Sequence, residues 1–432
     1  MRGLGFVWPA RQPTSREVRI ALVFTAAALF GHLIAQSMAP SVRGYDFRAM
    51  YAAGQIVRSG NGSRLYDLQE QARAEEAIFE RPGLLLIVHP PFEALFFAPL
   101  TRFSYASAYL IWGAINILLW MLFAYLARSF APVPQQIFRY LILCFTFFPL
   151  WITMISGQTT IPLVVLYCLT YIALKGQQDF RAGVFLGLGL FRFQLVLPFA
   201  LICLLRQKWR MMAGFAVTAV LLGGLSVVAV GLSGVASYVT LLVNIVRRPA
   251  DSLYGAFATS DMPTVRGVLS VLMAGRVAPE WVSVTVALVS GLLILFVAGL
   301  WRRKDRLERD ASLGLMFAAA LAVTLITGYH VYYYDLSLLL LAVFLVLGSP
   351  QWSRKTPWRA VVYVSIAVLY LPPVYLLLGG WRRLYLLWFP LFIFVLALFG
   401  LLRQPPLLEL TATSANGAAA ASPACGLGEG KA

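Results

Sequence analysis

Long apolar runs separated by short polar connectors make up most of the chain. Ten runs come close to or exceed the roughly 17 residues that a helix needs to cross a bilayer. They are 20–38, 105–127, 138–155, 159–174, 211–232, 281–300, 311–328, 332–348, 360–378 and 384–402. The runs are continuously apolar and do not alternate with polar residues, so they indicate helices rather than a membrane β-barrel. The pattern predicts an all-α, polytopic membrane helical bundle of about ten spans, in a range of about nine to twelve.

Composition favours a single membrane domain. Hydrophobic residues make up 60% of the chain, charged residues make up 12%, and the mean hydropathy is +0.77. Soluble domains carry about 25% charged residues. We predict a cytoplasmic segment at 1–19 and a membrane domain at 20–403 that includes an outer loop at 39–83. The Ala-, Ser- and Gly-rich tail at 404–432 is predicted to be disordered.

The net charge of +17 is concentrated in the connectors. Lys and Arg cluster at 206–210, 302–309 and 354–359. This is the positive-inside pattern, so we place these connectors and both termini in the cytoplasm. The loop 39–83 is then outside a cell inner (plasma) membrane. Because the basic residues follow a membrane topology, we predict no nucleic-acid partner.

Two segments do not fit the alternation of simple spans. If 206–210 is inside, 182–205 is not a single crossing. Its middle is polar, with Arg192 and Gln194, and glycines flank it. We predict two short helices that enter and leave on the same side and line a cavity. The run 84–101 is broken by two consecutive prolines, so we predict a partly inserted or interfacial element there.

The polar residues that interrupt the apolar pattern converge on the outer side. Ionisable residues at or within a bilayer are unfavourable and mark functional sites. On this topology, outward-facing loops contain or adjoin Asp46, Arg48, His89, Glu93, Gln158, His330 and Asp335. The tip of the re-entrant pair, with Arg192 and Gln194, points the same way. We therefore expect one polar site at the outer face.

Several short motifs follow one another between residues 18 and 345. They lie at 46–54, 59–62, 65–67, 89–92, 98–100, 156–158, 183–198 and 330–335. In this order they resemble glycosyltransferase family 87, which includes polyprenol-phosphate-mannose-dependent mannosyltransferases. The chain departs from the family pattern at Arg192, where Lys is usual, and at His89, where Tyr is usual. Arg keeps the positive charge but replaces a point charge with a planar fork.

The resemblance implies a GT-C-like membrane glycosyltransferase. Such an enzyme would transfer a sugar, here mannose, from a polyprenyl-phosphate donor to a lipid or glycan acceptor on the outer face, with inversion. Asp46 would be the catalytic general base, because partial burial can raise the pKa of a carboxyl group toward the working pH. The implied substrate-binding residues are Arg48, Tyr51, His89, Gln158, Arg192, Gln194, His330 and Asp335. Arg192, Arg48 and His330 are the candidate cations for the leaving phosphate.

Other interpretations stay open at this point. Asp46 could cap the helix that begins near Phe47. The segment around His330 could be an aromatic interfacial belt, which would explain Tyr332 and Tyr333. As site residues, His330 and Asp335 could lie about one turn apart on a helix. A transporter or flippase of lipid-linked sugars is the alternative function, although transporters often have internal repeats and this chain has none. A non-catalytic membrane scaffold is the third possibility.

Neither a metal nor a cofactor is expected. No cluster of ligands has a recognisable metal-binding spacing. The predicted partners are the lipid-linked sugar donor, a lipid or glycan acceptor and the membrane itself. The sequence leaves open the identities of sugar and acceptor and the oligomeric state.

Overall fold

The computed structural model describes residues 14–35, 46–78, 85–131, 137–247, 259–302, 306–349, 352, 356–371 and 386–403. Within these ranges every regular element is a helix, which confirms the all-α prediction for this part of the chain. The α-helices are α1 (Ser15–Ala35), α2 (Phe47–Arg58), α3 (Leu68–Glu76), α4 (Pro91–Phe97), α5 (Tyr105–Ala127), α6 (Ile137–Phe145), α7 (Phe148–Ser156), α8 (Thr160–Lys175), α9 (Asp179–Leu188), α10 (Phe193–Leu205), α11 (Trp209–Arg247), α12 (Val265–Met273), α13 (Pro279–Arg302), α14 (Arg306–Thr327), α15 (Leu339–Leu347), α16 (Pro357–Tyr370) and α17 (Trp388–Leu402). Short 3₁₀ helices cover Gly62–Arg64, Ala98–Arg102, Gly189–Arg192, Thr259–Asp261 and Asp335–Leu338. The predicted tail at 404–432 lies outside the described residues.

Long apolar helices identify a membrane protein. By length and composition, four described segments could cross a membrane: Tyr105–Ala127, Asp179–Leu205, Trp209–Val246 and Pro279–Trp301. The bent pair α6–α7 would be a fifth. The other apolar helices have 10–17 residues: Thr160–Lys175, Ser312–Thr327, Asp335–Leu347, Pro357–Tyr370 and Trp388–Leu402. The total of about ten spans therefore remains a prediction.

The first departure from the predicted spans is at α6 and α7. A straight run was expected at 138–155, but the two helices meet at an angle of 53°. Pro149 lies in the first turn of α7, where its missing N–H is tolerated but a continuous helix from α6 is not. The indole N–H of Trp151 donates to the carbonyl oxygen of Phe145 and holds the bend.

The segment α9–α10 doubles back on itself. A straight helix of 27 residues would separate its ends by about 40 Å. Instead, Lys208, just beyond α10, places Nζ 2.9 Å from Oδ2 of Asp179, the first residue of α9. The 3₁₀ turn Gly189–Arg192 reverses the chain between the two helices. The two helices therefore return to the same level, so Asp179–Leu205 is not a straight span despite its length and composition. Their position relative to the membrane remains a prediction.

Close glycine contacts pack this hairpin against α11. Gly183 and Gly187 lie four residues apart on one face of α9, the spacing that lets two backbones approach each other. A Cβ on Gly183 would lie 1.8 Å from the carbonyl oxygen of Met211, and one on Gly214 would lie 2.0 Å from that of Phe180. α9 and the first part of α11 therefore start together and run side by side.

An outer layer forms from α2, α3, α4 and the far part of α11. α11 changes direction at Gly231, whose φ is 71°. Gly62 meets the helix there, because a Cβ on it would lie 2.1 Å from the carbonyl oxygen of Ala229. α4 has seven residues and is too short to cross a bilayer, as predicted for 84–101. The connector between the predicted runs 211–232 and 281–300 is partly helical, since it contains the end of α11 and all of α12.

The main apolar core lies around α14 and α15. Every described side chain from Leu339 to Leu345 is at most 2% exposed, and α14 is buried from Leu315 to Val323. Aromatic rings such as Phe317 pack these helices against α8 and α10. The polar residues described next lie where these helices end.

Candidate functional site

A tight turn between α7 and α8 anchors the site. Gly157 ends α7 in the left-handed conformation, with φ 77°, where glycine is favoured. A Cβ on Gly157 would lie 2.5 Å from Cβ of Phe47, so the start of α2 packs directly on the turn. The backbone N–H of Asp46 donates to the carbonyl oxygen of Ser156 at 3.1 Å. The motifs at 46–54 and 156–158 are thereby joined.

Two aromatic side chains of α5 hold the same turn. The hydroxyl of Tyr109 donates to the carbonyl oxygen of Ile155 at 2.6 Å. The indole N–H of Trp112 donates to the carbonyl oxygen of Gly157 at 2.8 Å. These bonds satisfy the carbonyls at the end of α7 and fix the position of Asp46.

Asp46 is half-buried and occupies the N-cap position of α2. Its side chain makes no capping bond to α2, so the capping interpretation is wrong. The carboxylate is instead hydrogen-bonded to the side chain of Gln158. Burial raises the pKa of Asp46, while the bond from Gln158 and the positive charge of Arg192 act against that rise. A carboxylate with a raised pKa suits proton abstraction near neutral pH.

Arg192 lies at the end of the 3₁₀ turn, buried beside this carboxylate. Its Nε donates to Oγ1 of Thr159 at 3.1 Å. Its Nη1 is 3.9 Å from Oδ1 of Asp335, and its guanidinium carbon lies 5.6 Å from the ring centre of Tyr334. In the described part of the chain, Nη2 is buried without a hydrogen-bond partner. A buried donor of this kind is available to a ligand.

Asp335 is fully buried and its two oxygens are occupied. Oδ1 accepts from the hydroxyl of Thr160 at 3.0 Å, and Oδ2 accepts from the N–H of Tyr332 at 3.0 Å. A bond of 2.8 Å between the hydroxyls of Thr153 and Ser337 ties the same segment to α7. Asp335 therefore holds the wall of the site together and faces Arg192.

His330 lies in a non-helical loop, so its predicted place one helical turn from Asp335 is wrong. Burial, followed by the positive charges of Arg192 and Arg266, lowers the pKa of His330 to about 3. The imidazole is therefore neutral at physiological pH. It can offer a hydrogen bond, but it is not the cation that sequence analysis expected for the leaving phosphate.

His89 and Glu93 form a tight pair across the first turn of α4. Nδ1 of His89 lies 2.7 Å from Oε2 of Glu93. Glu93 is 3% exposed, and its other oxygen has no hydrogen-bond partner in the described residues. Sequence analysis placed Glu93 near the site but did not assign it a role. The sequence signal that could have revealed this pair is the spacing of four residues between His89 and Glu93.

Two predicted ligand residues face the outer layer instead. Arg48 is paired with the fully buried Glu75 at 3.4 Å. Tyr51 is 4% exposed and donates its hydroxyl to the carbonyl oxygen of Phe103 at 2.7 Å. Both side chains connect α2 to its neighbours.

Gln194 is half-buried on the first turn of α10. It packs against Gly328, because a Cβ on Gly328 would lie 3.3 Å from the carbonyl oxygen of Gln194.

The remaining predicted residues act on one another electrostatically. The charges of Arg192, His89 and Asp335 all affect the carboxyl group of Asp46. His89 and Arg192 also affect His330. Among the described residues, no group of three or more His, Cys, Asp and Glu side chains could hold a metal ion. Contacts in the structure thus join four parts of the chain, at 46, 156–160, 192 and 335, in one polar cluster.

A helical membrane protein with a buried arginine beside a half-buried aspartate fits a membrane group-transfer enzyme. The family assignment agrees with this class. The sequence model of glycosyltransferase family 87 matches residues 88–328, more than half of the chain, so the protein belongs to glycosyltransferase family 87. The match includes His89, Gln158 and Arg192, while Asp46 precedes it. No curated protein and no solved structure matches the chain.

Proposed function

We propose that this glycosyltransferase transfers mannose from a polyprenyl-phosphate donor to a lipid or glycan acceptor, with inversion at the anomeric carbon. Support comes from one arrangement: the half-buried carboxylate of Asp46 beside the buried guanidinium of Arg192. A base and a cation that act on each other electrostatically match the two charges that the reaction must manage. The acceptor hydroxyl loses a proton, and the phosphate leaves with an additional negative charge.

Asp46 is the general base. The acceptor hydroxyl approaches the carboxylate, which takes its proton as the oxygen attacks the anomeric carbon. Gln158 orients the carboxylate by a side-chain hydrogen bond, and the backbone bond to Ser156 fixes the start of α2. Positioning of this kind is part of general-base catalysis, because the proton must lie within hydrogen-bond reach.

Arg192 binds the leaving phosphate. Thr159 and Asp335 hold two of its nitrogens, and Nη2 remains for a phosphate oxygen. A charge-assisted bond from a guanidinium to phosphate is roughly twice as strong as a neutral hydrogen bond. The neutral imidazole of His330 adds a hydrogen bond rather than a charge.

Direct displacement is favoured over a covalent sugar–enzyme intermediate. A retaining enzyme needs a second carboxylate as nucleophile, at about 5 Å from the first. Asp335 is bonded to Thr160 and Tyr332, and Glu93 is bonded to His89. Asp335 uses both oxygens and Glu93 is paired with His89, so we assign the acceptor to Asp46.

The proposed membrane arrangement is GT-C-like, with about ten spans in the plasma membrane and both termini in the cytoplasm. The polar cluster would then face outward, and α9–α10 would enter from the cytoplasmic side. Support comes from the pairing of Lys208 with Asp179, which returns the hairpin to the level of the basic connector. A cysteine introduced at position 305 should resist a membrane-impermeant reagent in intact cells; labelling there would contradict this orientation.

The reaction is tested with purified protein, a labelled polyprenyl-phosphate mannose and a membrane-lipid acceptor fraction. The wild-type protein should release polyprenyl phosphate and label the acceptor. Asp46→Asn should lower turnover by roughly 10²-fold or more, the usual range for a general base, with little change in donor affinity. Glu76→Gln, at an exposed site of α3, is the matched control and should transfer normally. Near-normal turnover of a folded Asp46→Asn protein would refute the assignment.

A further inference from the structure

Arg266 lies outside the polar cluster, in the first turn of α12, and contacts the loop that carries His330. Its Nη1 donates to the carbonyl oxygen of Tyr329 at 2.9 Å. Its guanidinium carbon lies 3.7 Å from the centre of the Tyr329 ring. A cation within about 6 Å of a ring centre is attracted to the ring. Arg266 therefore holds both the backbone and the side chain of Tyr329, the residue immediately before His330.

Local contacts fix the backbone of Arg266. The hydroxyl of Thr264, a fully buried residue, accepts the N–H of Gly267 at 3.1 Å and caps α12. A Cβ on Gly267 would lie 2.0 Å from the carbonyl oxygen of Met262, so the chain before the helix packs directly against its first turn. The position from which the Arg266 side chain extends is therefore well defined.

The other end of the same loop is part of the site. The N–H of Tyr332 donates to Oδ2 of Asp335 at 3.0 Å, and Asp335 faces Arg192 at 3.9 Å. The ring of His330 packs edge-on against that of Tyr332, with 4.8 Å between the ring centres. His330 is thus held between a contact with the site and a contact with Arg266.

We propose that Arg266 is a positioning residue for the transfer reaction: it holds Tyr329 so that the imidazole of His330 reaches the donor phosphate bound by Arg192. This inference rests on the proposed function, in which His330 adds a hydrogen bond to that phosphate. Arg266 acts through Tyr329 and does not itself contact the donor. Misplacing a group by about 1 Å can cost 10²-fold in rate, so a contact outside the site can control turnover.

Two other roles would explain the same contacts. Arg266 could bind the donor directly as a second cation, or it could only stabilise the fold. A double variant separates these roles, because a residue that acts through His330 has no further effect once the imidazole is gone. In a His330→Ala background, Arg266→Ala should therefore lower kcat by less than about two-fold. A direct ligand would cost a similar factor in either background.

The experiment measures kcat and donor KM for Arg266→Ala, Arg266→Lys, His330→Ala and the double Ala variant. We expect Arg266→Ala to lower kcat roughly 10-fold, because the hydrogen bond from His330 matters most as the phosphate gains charge. Arg266→Lys should recover part of this loss, since an ammonium group can still donate to the carbonyl and lie over the ring. Arg276→Ala removes the same charge from an exposed residue of the same connector; it is the matched control and should transfer normally.

Chemical modification of His330 tests its placement without a transfer assay. The chain has three histidines, so mass spectrometry of peptides separates His330 from His89 and the buried His32. With diethyl pyrocarbonate as the probe, Arg266→Ala should raise labelling of His330 several-fold relative to His32, because the loop opens once Tyr329 is released. Labelling in the Arg276 control should not change.

Elution volume and unfolding temperature in detergent show whether each variant is folded. If Arg266→Ala does not fold, Tyr329→Ala, which removes only the ring contact, takes its place in both assays. Normal kcat or unchanged His330 labelling in the folded variant would overturn the positioning role, as would losses that multiply in the double variant. Wild-type transfer that depends on Asp46 keeps the proposed function in place whatever these variants do. Absence of transfer by the wild-type protein would overturn the proposed function, and with it the donor contact of His330.

Discussion

Arg192 and Arg48 each lie beside a buried carboxylate, but they belong to two different regions. In the outer layer, Arg48 lies 3.4 Å from Glu75, and both oxygens of Glu75 also accept the N–H of Leu85, at 3.1 and 3.2 Å. That pair connects α2, α3 and the segment before α4. The opposite charges of Arg48 and Glu75 therefore interact with each other within the protein, outside the proposed catalytic site.

At the tip of the α9–α10 hairpin, the arginine and the carboxylate are farther apart than in the outer layer. Arg192 is 3.9 Å from Asp335, and the oxygens of Asp335 are bonded to Thr160 and Tyr332. One guanidinium nitrogen of Arg192 is buried without a partner in the described residues. The comparison teaches that residue type and burial alone do not distinguish a ligand-binding arginine from a structural one. The distance to the carboxylate does differ, 3.4 Å for Arg48 and 3.9 Å for Arg192, and the looser pair leaves more of the guanidinium's hydrogen bonding to a ligand.

The largest effect that this comparison predicts is for Arg192→Ala. We expect the catalytic efficiency for the donor to fall roughly 10²- to 10³-fold, the range for removing one donor that stabilises developing charge. Arg192→Lys should keep part of the activity, since the charge remains but the fork is lost. Donor titrations of both variants measure this. Equal activity of the Ala and wild-type proteins would remove Arg192 from the site.

The matched substitution in the outer layer should act on stability. Arg48→Ala leaves Glu75 buried without its cation, which should cost about 1–3 kcal/mol. The unfolding temperature in detergent should fall, while donor KM in the surviving folded protein stays unchanged. A change in donor KM without loss of stability would place Arg48 among the ligand residues, as the sequence first suggested.

A smaller effect concerns pH. Burial raises the pKa of Glu75 above its ordinary 4.5, and the charge of Arg48 partly opposes this. The folded state therefore holds the proton more tightly than the unfolded state. The resulting stabilisation is complete below about 4.5, the unfolded value, and is lost as pH rises through the folded pKa. Glu75→Gln should make the unfolding temperature less dependent on pH in that window; an unchanged slope would contradict it.

The smallest effect is expected at the base of the hairpin. Asp179 and Lys208 are 23% and 33% exposed, so their pair should contribute about 0.2–1 kcal/mol. Asp179→Asn should leave transfer almost unchanged, because the glycine packing against α11 still holds the hairpin. Loss of activity comparable to that of Arg192→Ala would show that the ion pair, rather than the packing, places Arg192.

Much of the fold could be predicted from the sequence, and the reasons are local. The hairpin followed from Arg192 and Gln194 within an apolar run and from the charge of 206–210. The bend between α6 and α7 was missed, although Pro149 is a local signal for it. The helices within 233–280 were also missed, because that stretch has no membrane-length apolar run.

Sequence analysis predicted which residues belong to the site better than it predicted which side chains pair with one another. Asp46, Gln158, Arg192 and Asp335 lie in one cluster, as the order of motifs suggested. The partner of each charge could not be predicted, since Glu75 lies outside every motif. The neutral state of His330 also depends on atoms that surround it in space.

The sequence by itself determined the helical class, the membrane character, the family and the residues able to carry charge chemistry, because these depend on local periodicity and composition. Only the tertiary structure decided that Arg48 pairs with Glu75, that Arg192 lies against Thr159 and Asp335, and that Nδ1 of His89 lies against Glu93. The physical reason is that hydrogen bonding and desolvation depend on distances of a few ångströms between side chains distant in sequence. The pattern of apolar and polar residues along the chain does not contain those distances.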